Sequence, residues 1–406
     1  MEHGHDQLVT TSRMGSRFTS DRAAVNLVTT AAGLEVRVTC ANAPLSRVVL
    51  RWETAFPDDT LFLGDHWERG YGDLQWRSLQ PERILPWYFA AHQIASKRTF
   101  MLGVKTQPAA LCFWTVDAAG ISLWLDFRNG GGPSLPGDRE ISAATIVSLN
   151  SAAEETPFAA LKKFCRVMCP APRLAPAPIC GNNNWYYAYG RNFDAAAMRR
   201  DANFLAELAA GHAVKPYCVI DAGWTPGTVC PGGPWTAGDE KRFPDMPGLA
   251  ADMKKIGVRP GIWMRPTALM TVTDKNFLRA GPVNAQEKPL ELTLPENLAL
   301  IRDDVARVHS WGYDLIKHDF STYDVFGKWG FEMGAELTEG NWHFHDQTLT
   351  NAEIILRLYQ TLRAGAGDAV LLGCNTSGIL AQGFLKYSAP AMTRPAASGH
   401  ARARWG

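Results

Sequence analysis

From about residue 179 onward the chain alternates short apolar runs with amphipathic stretches, and this alternation limits the fold more than any other feature. Strand candidates lie near 179–187, 216–221, 259–264, 313–319 and 369–374. Residues 296–311 place Leu298, Ile301, Val305 and Val308 on one helical face, with Asp303 and Arg307 opposite. Residues 350–364 repeat Ile354, Ile355, Leu358 and Leu362 behind Thr350 and Asn351 as caps. Such alternation argues for a parallel sheet, open or closed into a barrel. Polar and aromatic residues gather where the strands end: Asn182–Asn184 with Trp185, Asp221 with Trp224, then Arg265, then Lys317 with Asp319, then Cys374 with Asn375. A (β/α)8 barrel builds its site at the C-terminal ends of its strands. An open doubly wound sheet usually shows a Gly-rich phosphate loop after its first strand, and GNNNWYY is not one. The barrel is therefore favoured.

Residues 1 to about 150 read differently. Short alternating runs such as Leu34–Val38 and Ile121–Leu125 are broken by Gly, Pro and Asp, as in an antiparallel β domain. The expected architecture is multidomain, β plus α/β. A β-sandwich over 1–169 ends in a helix at 157–169, and a stiff Pro-rich linker occupies 170–178. A (β/α)8 barrel that is incomplete in this chain follows over 179–385, with a tail at 386–406.

The net charge of the 406 residues is +1, with no basic face, so nucleic acid is a poor partner. The 14 Trp lean towards carbohydrate, because Trp stacks on sugar rings as well as filling cores. None of the eight Cys forms a CxxC pair, and no Cys/His spacing reads as a zinc site. The N-terminus lacks the apolar core of a signal peptide, and no run has membrane-spanning length. The expectation is a cytoplasmic protein with reduced thiols and no membrane partner.

The sharpest motif is Asp314-Leu315-Ile316-Lys317-His318-Asp319-Phe320. On a strand, Lys317 and Asp319 point to the same side. Lysine beside aspartate keeps the carboxylate ionised, as a glycosidase nucleophile requires. Spacing alone favours a structural ion pair at a strand end over a catalytic site. In Cys218-Val219-Ile220-Asp221-Ala222-Gly223-Trp224, Asp221 is placed either to accept from sugar hydroxyls or to cap a turn before Gly. Leu63–Gly72 crowds aromatic and charged groups into one stretch, either a solvated hairpin or a loop reaching the barrel mouth.

In order, Trp185 after GNNN, VIDAGW, GPWTAGDEKRFPDMPGLAADMKKIGVRPGIWMRP and DLIKHDF resemble the α-galactosidase (melibiase) clan of glycoside hydrolases, most nearly its bacterial family-36 branch. DHWERGYGDLQW in the β domain also resembles that branch, and the likeness spans about 50 to 385. The resemblance implies that Asp319 is the nucleophile of a retaining mechanism and that Lys317 binds sugar hydroxyls. It implies that Asp221 contacts the O4 and O6 side of galactose, and that Trp185, Trp224, Trp263, Arg265 and Cys374 line the pocket. Asp65 and Trp67 resemble a loop that in this branch approaches an active site, sometimes a neighbouring subunit's, so a homo-oligomer is among the expected arrangements. No metal or organic cofactor is implied, and the partner is an α-galactoside-type oligosaccharide. A raffinose-type sugar transferase, a non-catalytic carbohydrate-binding protein and a broken gene product remain alternatives.

Two departures narrow this. Ala222 stands where the family has a second Asp, which removes a hydroxyl acceptor and puts galactose specificity in doubt. No Asp or Glu follows Phe384, so the family's general acid is not present in frame. Back-translated and read one base early, Lys386 to Arg402 permit EIQRTGDDTSGREWARA, which contains the family's acid motif. Most codons leave freedom, but Met392 followed by Thr393 forces an Asp there. The hypothesis is a one-base insertion or deletion near codon 385. With only five strands legible, the chain is expected to be unstable or aggregated and to have little hydrolase activity. Sequencing the coding DNA through and beyond this region is expected to restore the frame and reveal three further strand–helix units. An undisturbed frame with no family match downstream overturns the hypothesis.

Overall fold

The structure, a computed structural model, describes residues 12–388 except 15, 21, 228, 284–286, 385 and 386. The N-terminal part holds two antiparallel sheets. The larger runs in the order Ser12–Met14, Arg17–Thr19, Ala23–Thr30, Gly33–Cys40, Ile141–Asn150, Arg98–Val104, Tyr88–Gln93, Thr60–Gly64. The smaller runs Arg47–Glu53, Gly120–Asp126, Leu111–Asp117, Leu85–Pro86. Alternating side chains from both sheets meet in one core, in which Phe89 and Trp114 lie edge to face at 5.7 Å. Helix Pro157–Met168 covers the outer face of the larger sheet. Its Ala160, Phe164 and Met168 pack on Ala90, Met101 and Val147.

The C-terminal part is a parallel sheet of six strands in sequence order: Gly181–Asn183, Tyr217–Ile220, Arg259–Met264, Leu315–His318, Val370–Gly373 and Tyr387–Ser388. The five strands read from the sequence all form. The sixth, Tyr387–Ser388, falls in the stretch read as tail and pairs with Leu372 and Gly373. The first and sixth strands are not paired with each other among the described residues, so the sheet described is open. Residues 389–406, where the displaced acid motif is expected, lie outside the described residues.

Helices Pro295–Ser310 and Asn351–Ala366 form as their periodicity predicts. Ile301, Val305 and Val308 are buried on the first, and Ile354, Ile355, Leu358 and Leu362 on the second. Thr350 caps the second: its hydroxyl accepts from the Glu353 amide, and Glu353 accepts from the Thr350 amide in return. Among the described residues no helix is long and apolar enough to cross a membrane.

Strand alternation divides the parallel sheet into two faces. Cys218, Ile220, Ile262, Ile316 and Leu371 pack with the helix residues Met198, Leu249, Met253, Ile301 and Val305. Tyr217, Val219, Leu315 and Val370 form a separate inner cluster. Gly261 belongs to that inner face, where a Cβ would lie 2.8 Å from the Val219 side chain. One step further along the inner face lie Asp221, Trp263, Lys317 and Leu372, and the step after that brings Asp319 and Cys374.

The β domain docks on this end of the sheet through polar contacts. Arg128 pairs with Asp126 and with Glu336, and Arg47 reaches Glu336 at 2.7 Å. Asn129 donates to the Leu349 carbonyl at 2.8 Å, and Arg139 forks onto Glu353.

Candidate active site

Asp319 closes the fourth parallel strand and is 8% exposed. Burying a carboxylate requires donors, and three neighbouring segments supply them. Trp263 Nε1 donates to Oδ2 at 3.0 Å, Asn375 Nδ2 to Oδ1 at 2.7 Å, and the Phe320 amide to Oδ1 at 2.8 Å. The Asp319 amide itself donates to Met264 O at 3.0 Å, which pins the end of the strand.

Lys317 lies on the same face, but its contact is across the sheet. Its Nζ donates to Asp221 Oδ2 at 2.7 Å. Asn183 Nδ2 reaches the same oxygen at 2.6 Å, and Oδ1 accepts from the Ala222 amide at 2.8 Å. Burial pulls the Lys317 ammonium down, but the charges of Asp221 and Asp319 outweigh it and hold its pKa above the usual lysine value. Cys374 and Cys230 flank these groups. Burial first, and the Asp319 charge second, push the Cys374 thiol up and raise Cys230 to about 12, so both are neutral thiols. His318 points the other way, with Nδ1 2.9 Å from Ser321 Oγ. Burial lowers its pKa to about 3, which keeps it uncharged.

The other residues singled out from sequence take varied positions. Trp185 opens the short helix Trp185–Ala188, and its amide donates to Asn183 Oδ1 at 2.9 Å. Tyr186, one residue on, feels the charges of Lys317, Asp221 and Asp319 together. Trp224 is fully buried and donates through Nε1 to Trp263 O at 2.8 Å, so it supports the Trp263 backbone. Arg265 is 3% exposed and forks onto Asp324, with Glu287 2.9 Å away. Asp65 is held by both arms of Arg69 at 2.7 Å. Trp67 sits in the β-domain core against Trp87 and donates to Gly334 O at 3.1 Å.

The residue of that loop that feels the Asp319 charge is Glu68, which sequence reasoning passed over. It is 3% exposed, and a Cβ on Gly330 would lie 2.2 Å from its Cγ. Neither carboxyl oxygen makes a well-aligned hydrogen bond. The hydroxyl of the adjacent Thr322 donates instead to Asn375 O at 2.7 Å. Burial, reinforced by Asp319, raises Glu68 to about 7. Asn183 and Asn375 were placed at the strand ends from sequence but given no role in the site. The signal for both was an Asn directly at a strand end, in GNNN and in CNTS.

Two outcomes follow from these groups. Lys317→Met leaves Asp221 buried without its counter-ion and is expected to lower the unfolding free energy by about 3–5 kcal/mol in urea titrations. Adding Asp221→Leu is expected to recover much of that loss, and an additive double mutant contradicts the pairing. Glu68 has a folded pKa of about 7, above its ordinary 4.5. Its contribution is therefore full below 4.5 and lost as the pH rises through about 7. Wild type is expected to lose stability relative to Glu68→Gln across that window, and parallel melting curves from acid to neutral pH argue against it.

No protein-family model matches the chain, and no curated protein does. Solved structures do match. An α-galactosidase from Thermus thermophilus, in complex with stachyose, aligns at 17% identity and a TM-score of 0.56, covering 93% of this chain and 76% of that one. The galactosidase domain of an α-galactosidase–sucrose kinase aligns at 16% identity and a TM-score of 0.59, covering 90% and 55%. A GH36 α-galactosidase from Geobacillus stearothermophilus aligns at 12% identity and 0.56, covering 88% of this chain and 52% of that one. Antiparallel β sheets followed by a parallel α/β sheet are thus an arrangement that this chain shares with GH36 α-galactosidases.

Proposed function

We propose that the chain is an α-galactosidase-like glycoside hydrolase in which Asp319 attacks the anomeric carbon. The observation that carries this reading is the environment of Asp319: a buried carboxylate at a strand end, with donors on both oxygens, next to the Lys317–Asp221 pair. Asp319 would form a bond to the anomeric carbon as the bond to the leaving oxygen breaks, and water would then release the sugar. The Lys317 ammonium and the Asp221 carboxylate would bind sugar hydroxyls, and Trp263 would both hold Asp319 and wall the pocket. Stachyose and raffinose, bound in the similar structures, suggest oligosaccharides ending in an α-linked galactose as the substrate class.

Departure of a sugar leaving group also needs a proton donor about 5–5.5 Å from the nucleophile in a retaining enzyme. Among the described residues, Asp221 is committed to Lys317, and Glu68 is enclosed against Gly330. The chain is therefore expected to react with sugars whose leaving group departs without protonation and to leave natural α-galactosides intact. Incubation with 5-fluoro-α-galactosyl fluoride is expected to add one sugar to the Asp319 peptide, read by mass spectrometry, and Asp319→Asn to abolish it. Raffinose is expected to persist under the same conditions. Saturable sugar binding with no label on Asp319 would instead favour a carbohydrate-binding protein.

A further inference from the structure

Phe320, immediately after Asp319, has φ 65° and ψ 4°. That left-handed conformation is uncommon for a bulky side chain, and such residues persist only where their surroundings over-determine them. Here the surroundings are specific. The Arg265 guanidinium lies 4.3 Å from the centre of the Phe320 ring, and Trp329 packs on the ring at 5.1 Å. Arg265 is aimed by Asp324, which accepts from Nε at 3.0 Å and from Nη2 at 2.5 Å. Thr267 Oγ1 donates to the same carboxylate at 2.5 Å. Asp324 also acts through its backbone, since its amide donates to Phe320 O at 2.7 Å. One residue thus fixes the Phe320 carbonyl directly and the Phe320 ring through Arg265.

The consequence falls on Asp319. The Phe320 amide donates to Asp319 Oδ1, so the peptide that leads into the left-handed residue is bonded to the carboxylate. The carboxylate is then presented to Trp263 and Asn375. Asn375 has φ 55°, and its carbonyl accepts from both the amide and the hydroxyl of Thr322, so the next strand end is tied to the same turn. Arg265 has little left for a ligand: Asp324, Glu287 and the Cys230 carbonyl all take donors from it. We infer that the Arg265–Asp324 pair is a positioning device that clamps Phe320 in its left-handed conformation and thereby aims Asp319, and that Arg265 does not contact the sugar. The part concerning catalysis rests on the proposed role of Asp319; the part concerning backbone geometry does not.

Arg265→Lys keeps the charge but loses the fork and the planar stack. Its reaction with 5-fluoro-α-galactosyl fluoride is expected to slow by about a hundredfold at saturation. The half-saturating concentration is expected to change by less than about twofold, because ground-state binding is untouched. A raised half-saturating concentration with an unchanged saturating rate would place Arg265 on the sugar and overturn the inference, as would no change in either. A crystal structure of the variant gives a readout independent of activity. Phe320 leaving the left-handed region, with loss of its amide contact to Asp319, supports the clamp; retention of both overturns it. Should wild type take no label, the hydrolase reading fails while the crystallographic readout still decides the clamp. Should Arg265→Lys fail to fold, the near-isosteric Asp324→Asn takes its place in both measurements.

Discussion

Two buried carboxylates sharing one lysine set the terms for this end of the parallel sheet. Asp221 and Asp319 are 2% and 8% exposed, and Lys317 bonds directly to Asp221. An uncompensated charge in such a place is costly. Asp221 is satisfied by the ammonium, Asn183 and its own turn, whereas Asp319 relies on neutral donors alone. Those donors come from the third strand, from the loop after the fifth and from the residue following Asp319 itself. Each strand end is therefore tied to its neighbours through the acids they enclose.

The β domain takes part in the same constraint. Its Leu63–Gly72 stretch packs against the C-terminal part, where Gly330 leaves room for the Glu68 side chain. A charged Glu68 would add a third negative group to one already short of positive partners. Burial against that surface favours the protonated acid. Arg69 and Asp65 neutralise each other beside it, so the loop brings a neutral surface to the seam.

Much of this architecture was legible in the chain because apolar periodicity reports directly on which face of a strand or helix is buried. Five strands and the two long helices could be placed that way, and alternation alone put Lys317 and Asp319 on one face. Periodicity does not report which side chain of a neighbouring strand a residue meets. The Lys317 contact to Asp221 depends on the stagger of two strands that are separated in sequence by a third. The family resemblance made Arg265 a pocket residue, yet its partner Asp324 lies on a helix after a different strand, and no spacing rule connects them. Glu68 was overshadowed by Asp65 and Trp67, whose polar groups are taken by Arg69 and by the Gly334 carbonyl. The Asp314–Phe320 motif also gave no hint that Phe320 would be left-handed, because that conformation is imposed by Arg265 and Trp329 from outside the motif.

Ala222 gains a physical meaning from the charge count. The position is 1% exposed, and its amide already serves Asp221. A second carboxylate there would stand beside Asp221 with Lys317 still the only cation among the described residues directly bonded to the cluster acids. With alanine, two carboxylates and one ammonium leave one net negative charge among Asp221, Asp319 and Lys317. Glycosyl transfer passes through an oxocarbenium-like state, so positive charge develops at the anomeric carbon. A buried site with one excess negative charge favours that state more than a neutral one would. On the proposed hydrolase reading, what Ala222 removes is a hydroxyl acceptor, which would bear on which sugar is held. What remains, the excess charge on Asp319, would on the same reading bear on whether a held sugar can react.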